Sequence, residues 1–377
     1  MVKRFYKVIN EDGSNIYHSV IPFLPPCTLL KTYHSHSSTT FPVVNLPLRG
    51  GLSWDAYPQQ LLSPASNVTS MVYSPTGDHI VSASEDNTIS ISERSSRLQV
   101  RTLVGHTSGV LAIAASPDSQ HVISASADQT VRIWNFTSGE HLRTLNGHSG
   151  KVSCVAVSKG GEWIASGSED NTVRVWVLSD GTCQHTLTGH TDDVNSIAFS
   201  PTSDYIVSGS DDCSIRLWNA LSGDLVDTFN GHWGYVMSVA FTPDGEYILS
   251  GSTDRSVRVW SVKGGGCARM LNGHTGWVLS VAASTDGKHI ISGGFDGTAR
   301  VWDLSSGSLV NVFQTGSYVY GIQLSPDGGY LIYGEDGGVS LRDLSLNSLH
   351  RSNPSNLIRM FKPSKRRSVM DAFRSGI

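Results

Sequence analysis

Residues 147–176 read GHSGKVSCVAVSKGGEWIASGSEDNTVRVW, and the chain returns to that stretch at a fixed interval. Five Gly-His pairs (Gly105-His106, Gly147-His148, Gly189-His190, Gly231-His232 and Gly273-His274) stand 42 residues apart. Five tryptophans (Trp134, Trp176, Trp218, Trp260 and Trp302) and five aspartates (Asp128, Asp170, Asp212, Asp254 and Asp296) keep the same interval. A fixed period of this length marks one supersecondary unit copied many times. What the copies share is the fold, so function has to be sought where they differ.

Within the third copy, four short runs are rich in Val, Ile, Thr and aromatics: Lys151-Val-Ser-Cys-Val-Ala-Val-Ser, Trp163-Ile-Ala-Ser-Gly-Ser, Asn171-Thr-Val-Arg-Val-Trp and Cys183-Gln-His-Thr-Leu. Gly, Asp, Asn and Ser separate them, which is a strand reading with turn chemistry between. No segment keeps a sustained 3.6-residue apolar period, so helices are expected to be nearly absent. Four antiparallel strands per repeat match one blade of a β-propeller.

On its Gly-His pairs, on SGSEDNTVRVW (166–176) and on Trp302-Asp303, the chain resembles the WD40-repeat proteins over roughly residues 58 to 345. Two weaker copies flank the five. From Asn67, NVTSMVYSPTGDHIVSASEDNTISIS keeps the pattern, with Ser63-Pro64 in place of Gly-His and Ser92 in place of Trp. From Tyr318, YVYGIQLSPDGGYLIYGEDGGVSLRD is two residues short and carries Arg342 at the Trp position. Seven copies predict an all-β, seven-bladed propeller over 53–345, with an N-terminal arm (1–52) and a basic C-terminal tail (346–377). The resemblance also implies that a strand from one end of the chain completes the last blade and removes its open edge. Gln59-Gln60-Leu61-Leu62 sits one repeat before Arg101-Thr102-Leu103, so 58–62 is the strand expected there.

The 377 residues would allow two or three ordinary domains, but the repeat overrides that count. Five cysteines (Cys27, Cys154, Cys183, Cys213 and Cys267) are odd in number and show no paired spacing, which suits a reducing interior rather than a disulfide framework. The start, MVKRFYKVINEDG, lacks the apolar core of a signal peptide, and no run approaches the ~18–20 apolar residues that span a bilayer. A cytoplasmic protein is expected, with nuclear entry through the tail as the alternative. The net charge of −4 hides an asymmetry. Residues 53–350 hold 16 basic and 29 acidic side chains, whereas from 351 onward there are seven Lys/Arg and one acid, Asp371. An acidic ring argues against general nucleic-acid binding by the propeller.

His, Ser and Asp recur together as His106/Ser124/Asp128, His148/Ser166/Asp170, His190/Ser208/Asp212, His232/Ser250/Asp254 and His274/Ser292/Asp296, with a Trp six residues after each Asp. One such set alone would suit a nucleophile, a base and an orienting carboxylate. An active site is needed once, however, and this set appears five times. The resemblance implies instead a buried hydrogen-bond chain between the strands of each blade, in which every polar group finds a partner. No catalytic residue is assigned and no enzyme activity is expected. No cofactor is implied, because the chain has no GxxxxGK[ST] phosphate loop. No metal site is assigned, since His34 and His36 are the one close histidine pair and have no Cys or acidic companion.

The turn after Gly-His, the start of the next strand and the residue before the repeated Asp face one rim of the channel. In proteins of the resembled family that face commonly binds partners. Blades one to three offer Asn67, Thr69 and Glu85, then Gly109, Leu111 and Ala127, then Lys151, Ser153 and Glu169. Blade four is acidic and polar, with Asp192, Asp193, Asn195 and Asp211. Blades five to seven are aromatic and apolar: Trp233, Tyr235 and Met237, then Trp277, Leu279 and Phe295, then Tyr318 and Tyr320. Exposed aromatics mark recognition, and an acidic neighbour suits a protein or peptide ligand with a basic group beside an apolar anchor. The competing reading is that some of these side chains plug the central channel.

Residues 16–38, IYHSVIPFLPPCTLLKTYHSHSS, together with the strict period, resemble the region before the propeller of fungal NACHT–WD receptors. A sensor role for a monomeric ring within a larger complex would follow. The alternative is a constitutive scaffold or substrate adaptor of the ubiquitin-ligase or repressor type. The tail SNPSNLIRMFKPSKRRSVMDAFRSGI reads as a nuclear localisation patch at Lys365-Arg366-Arg367, a membrane-surface or partner helix, a phosphorylation site at Ser368, a segment folding back on the acidic ring, or a solvated end.

Overall fold

The computed structural model describes residues 68–343, apart from 97, 316, 336 and 337, together with 357–359. The N-terminal arm, the His34/His36 pair, residues 58–62 and most of the tail lie outside the described residues.

Seven four-stranded antiparallel sheets follow one another along the chain, each made of strands consecutive in sequence. Blade three is representative: Val152–Val157, Trp163–Ser168, Val173–Val177 and Cys183–Leu187. Ile164 faces Val157 on one side and Trp176 on the other. The second strand is buried continuously from Ile164 to Ser168, whereas only Leu187 is buried in the fourth. Neighbouring blades cover both faces of a middle strand, so simple in–out alternation gives way to continuous burial. The turn between the second and third strands places Asn171 at φ 66°, a left-handed conformation that Asn tolerates well.

The innermost strands (Val68–Tyr73, Val110–Ala115, Val152–Val157, Val194–Phe199, Val236–Phe241, Val278–Ala283 and Gly321–Leu324) touch in chain order, and the last touches the first. That cyclic order is a seven-bladed β-propeller. Its core lies between blades: Ala165, Val173 and Val175 of blade three pack with Val194, Ile197 and Ile206 of blade four. Each such Val or Ile, fully buried, contributes roughly 1.5–3 kcal/mol. The approach is close enough that a Cβ on Gly167 would lie 2.6 Å from both Cys154 Sγ and Val194 Cγ1. Serines on the inner strands add polar links between blades. Ser196 Oγ accepts the Val239 amide at 3.0 Å, Ser238 that of Val281 at 3.1 Å and Ser280 that of Ile322 at 3.0 Å. At the seam between blades seven and one, the Tyr73 amide donates to Gln323 Oε1 at 3.0 Å.

The closing strand differs from the expectation. The fourth place in blade seven is taken by Leu357–Arg359, with Leu341 opposite Ile358, and not by 58–62. The physical reason is loop closure. A strand 15 residues beyond its partner Arg342 returns at a smaller entropic cost than one from the far end of the chain. Among the described residues, no helix is long and apolar enough to cross a membrane.

Candidate functional site

The five repeated sets form hydrogen-bonded chains. In blade three, Trp176 Nε1–H donates to Ser166 Oγ at 2.9 Å, Ser166 Oγ lies 2.8 Å from His148 Nε2, and His148 Nδ1 lies 2.8 Å from Asp170 Oδ2. Blades two, four, five and six repeat the arrangement. Ser124, Ser208, Ser250 and Ser292 accept the indole N–H of Trp134, Trp218, Trp260 and Trp302, each at 2.8 Å. The same four hydroxyls lie 2.7–2.8 Å from Nε2 of His106, His190, His232 and His274. Nδ1 of those histidines lies 2.7–3.1 Å from the carboxylates of Asp128, Asp212, Asp254 and Asp296.

Taken alone, each set has the residue types of a catalytic triad, but its serine is not placed for that chemistry. Ser124, Ser166, Ser208, Ser250 and Ser292 are all fully buried, at 0 % exposure. Each hydroxyl sits between an indole donor and an imidazole of its own blade, so no substrate or partner reaches it. These five serines are internal joints of the sheet and form no part of a binding or reacting surface.

Burial pushes Asp170 upward, but bonds from Thr172, the Ser149 amide and His148 outweigh it and hold the carboxyl at about 2. Asp128 is held at about 2 in the same way, and Asp212, Asp254 and Asp296 are also lowered. Burial likewise lowers His106, His148 and His274. The protonation pattern that satisfies every atom is a neutral imidazole that donates from Nδ1 to an ionised carboxylate and accepts the serine hydroxyl at Nε2.

An arginine two residues before each Trp completes the cluster. The Arg174, Arg216 and Arg258 guanidinium carbons lie 5.7–6.0 Å from the indole centroids of Trp176, Trp218 and Trp260. This pair explains the glycine before each His: a Cβ on Gly147 would sit 2.8 Å from Arg174 Nη1 and 3.3 Å from Trp176 Cη2. The arginines have no place in the sequence reading, although their constant spacing from each Trp is visible there.

These chains also set the rim. The amide of the residue after each His (Thr107, Ser149, Thr191, Trp233 or Thr275) donates to the repeated Asp carboxylate at 2.8–3.1 Å. A second backbone bond joins the rim residues in pairs. The Glu169 amide donates to the Lys151 carbonyl, Asp211 to Asp193, Thr253 to Tyr235 and Phe295 to Trp277, at 2.8–3.0 Å. Thr253, the partner of Tyr235, is a rim residue that the sequence reading misses.

Four of the aromatic candidates form one run. Trp277 and Phe295 have centroids 5.5 Å apart, Phe295 and Tyr318 stack at 3.8 Å and 8°, and Tyr318 meets Tyr320 edge-on at 6.5 Å. Trp277 remains 38 % exposed. In blade five, Trp233 is 91 % and Tyr235 42 % exposed, and neither joins that run among the described residues. Leu279 is buried, and Met237 is half-buried. Tyr320 and Asn195 help line a central cavity of about 240 Å³ whose described lining contains no His, Asp or Glu. Tyr320 therefore belongs to the channel mouth as much as to the rim.

The acidic candidates crowd together. Burial, reinforced by Glu169, Asp211 and Asp192, pushes Asp193 up to about 6, with Lys151 opposing. Burial also raises Asp211, against an Asn195 Nδ2–H bond to its carboxylate at 2.5 Å. Lys151 is engaged by Glu169 at 2.8 Å. A sector of this kind gains from a cation brought to it.

Among the described residues no group of His, Cys, Asp or Glu is arranged to hold a metal. Cys154 is buried, its thiol pushed up to about 12 by desolvation, and Cys183, Cys213 and Cys267 are free. A family profile described as "WD domain, G-beta repeat" matches residues 57–91, 97–135, 139–177, 181–219, 223–261 and 265–303. No curated protein matches the chain significantly.

Proposed function

From the premise that the chain belongs to the WD domain, G-beta repeat family, we propose that its ring recognises a protein or peptide on the rim of blades five to seven. Propellers of this family are protein-interaction platforms or scaffolds and are generally non-catalytic. The observation that carries the finer reading is the aromatic run Trp277–Phe295–Tyr318, beside an indole at Trp233 that is 91 % exposed. Large aromatics left in water on a rigid frame are the side chains that anchor interfaces. The backbone bonds beneath them fix their positions before binding, so little ordering entropy is lost on association. The acidic sector of Asp192, Asp193 and Asp211 adds a preference for a ligand with a basic group beside its apolar anchor.

The test is a pull-down with the wild-type chain beside Trp233→Ala/Trp277→Ala/Tyr318→Ala, with thermal melts to confirm that the variant is folded. Partners lost by the folded variant support the reading. Retention of every partner removes it and leaves the aromatic rim as packing.

The sensor role, as in fungal NACHT–WD receptors, rests on the strict period and on residues 16–38. An upstream NACHT reading frame in the gene favours it. A stable co-purifying subunit favours the constitutive scaffold or adaptor instead.

A further inference from the structure

We propose that the rim of blades four to seven is occupied by the chain's own residues 360–377, which any partner must displace. The proposal rests on the reading of that rim as a recognition surface and names its intrachain occupant.

The direction of the last strand carries the argument. In blade six the fourth strand ends at the rim: Gln314 lies opposite Thr298, two residues after Asp296, and the Thr315 amide donates to the Gly297 carbonyl at 2.9 Å. Leu357–Arg359 runs in the same sense, with Leu357 opposite Arg342 and Arg359 opposite Ser340, near the start of Gly338–Asp343. Arg359, the last residue of that strand, therefore stands at its rim end, in the blade that carries Tyr318 of the aromatic run.

The sequence that follows Arg359, MFKPSKRRSVMDAFRSGI, has five basic side chains and one acidic one. It opens with the apolar pair Met360-Phe361, continues with Lys365-Arg366-Arg367 and returns to apolar residues at Met370 and Phe373. The rim presents the complementary order, aromatic in blades seven and six and acidic in blade four. Eighteen extended residues reach up to about 60 Å, and three packing steps of about 10 Å separate blade seven from blade four. Opposite charges on both sides make the encounter favourable and sensitive to salt. A basic segment held beside Asp192, Asp193 and Asp211 would also relieve the crowding that raises Asp193 and Asp211.

The experiment uses the full chain with photoreactive p-benzoylphenylalanine in place of Met370, irradiated and mapped by mass spectrometry. The expected result is adducts within one molecule, on peptides from 192–211 or 233–320, in a yield independent of protein concentration. Adding Lys365→Glu/Arg366→Glu/Arg367→Glu lowers that yield severalfold, and Asp192→Lys/Asp193→Lys in the same chain restores it. Raising the salt to about 1 M, where the screening length falls to about 3 Å, lowers it without any substitution in the ring, so the proposal stays testable even if the Asp variant misfolds. Adducts confined to other faces, adducts only between molecules, no adduct, or a yield indifferent to both salt and charge reversal would each overturn the proposal. Failure here with partners still lost by the Trp233→Ala/Trp277→Ala/Tyr318→Ala chain removes the intrachain occupant and leaves the recognition surface standing. Adducts as expected with all partners retained show the tail packing on a rim that recognises nothing else.

Discussion

Blade one and blade three are separate sheets built on the same plan, and they differ in one cluster. In both, the second strand is buried from its second residue onward. In both, the following turn has an Asn at positive φ, 72° at Asn87 and 66° at Asn171, and a Thr bonded to the preceding Asp. Both also bury a serine at the same place, Ser82 and Ser166. Blade three adds His148 and Trp176 to Ser166 and Asp170, and the resulting chain holds the Ser149 amide at 2.9 Å. Blade one has Ser92 where Trp would stand and Ser63-Pro64 where Gly-His would stand. The sheet thus forms without the cluster. What the cluster adds is a fixed position for the turn that enters each blade, and hence for the rim side chains that turn presents.

The most severe way to break this comparison is to remove the indole. Trp176→Ala should cost about 3–5 kcal/mol through the cavity and the lost donor to Ser166, whereas Ser92→Ala should cost about 1 kcal/mol or less. Calorimetric melting of the two variants decides the matter, and equal losses would mean that blade one relies on its Ser as blade three relies on its Trp.

His148→Ala should come next, at about 2–3 kcal/mol, because it strands a buried hydroxyl and a buried carboxylate. Its signature is local: hydrogen exchange at Ser149 should accelerate more than at Val175 in the sheet beneath. Uniform acceleration would sink the idea that the cluster serves the rim.

Acid should act on the same cluster. Asp128 and Asp170 are held at about 2 against an ordinary 3.8, so between those values the unfolded chain binds more protons than the folded one. Their stabilisation, about 2 kcal/mol each by linkage, is fully present above about pH 4 and is lost as the pH falls toward 2. His106, His148 and His274 titrate below their ordinary 6.5, which makes stability begin to fall already as the pH drops through 6.5. Chemical denaturation at a series of pH values should show two descending steps, and His148→Ala should weaken both. Asp193 and Asp211, raised by burial, push stability the other way in the same window, so the comparison with His148→Ala decides: identical profiles for the two chains between pH 7 and 5 would contradict the neutral-imidazole assignment.

The smallest effect sharpens the likeness between the blades. Cys213 and Arg255 occupy the turn position of Asn87 and Asn171 at φ 65° and 71°. Cys213→Asn or Arg255→Asn should stabilise by about 0.5 kcal/mol, since Asn accepts that conformation more readily. A rise in melting temperature of a degree or two checks it, and a fall would show that the native side chain makes a contact worth more than the strain.

The 42-residue period makes the blade count and the five buried chains legible, because residues that meet in one blade recur at one spacing. The rim is legible as a set of types, acidic in blade four and aromatic beyond it. The stacking of Phe295 on Tyr318 is not, since those residues belong to different blades and no period relates them. The interblade serines are hidden for the same reason. Ser196, Ser238 and Ser280 look like ordinary small residues in a strand until the next inner strand supplies its amide. The closing strand is misplaced by the sequence because one repeat's spacing says where a fourth strand lies and not which end of the chain supplies it. Three residues such as Leu357-Ile358-Arg359 carry too little pattern to announce themselves, and their strand exists by virtue of the edge it meets.

That last strand has a consequence for how the molecule comes into being. Every blade is complete within a contiguous stretch of chain, so synthesis can deliver them one after another as finished sheets, but the stretch of blade seven runs on from Asp343 to Leu357–Arg359. Blade seven cannot be finished until Leu357–Arg359 arrives, and only an ordered blade seven can present Gln323 to Tyr73 across the seam. Until then the nascent chain is an open arc with an apolar face at each end, and this interval before closure is when it is most vulnerable to misassembly and to chaperone capture.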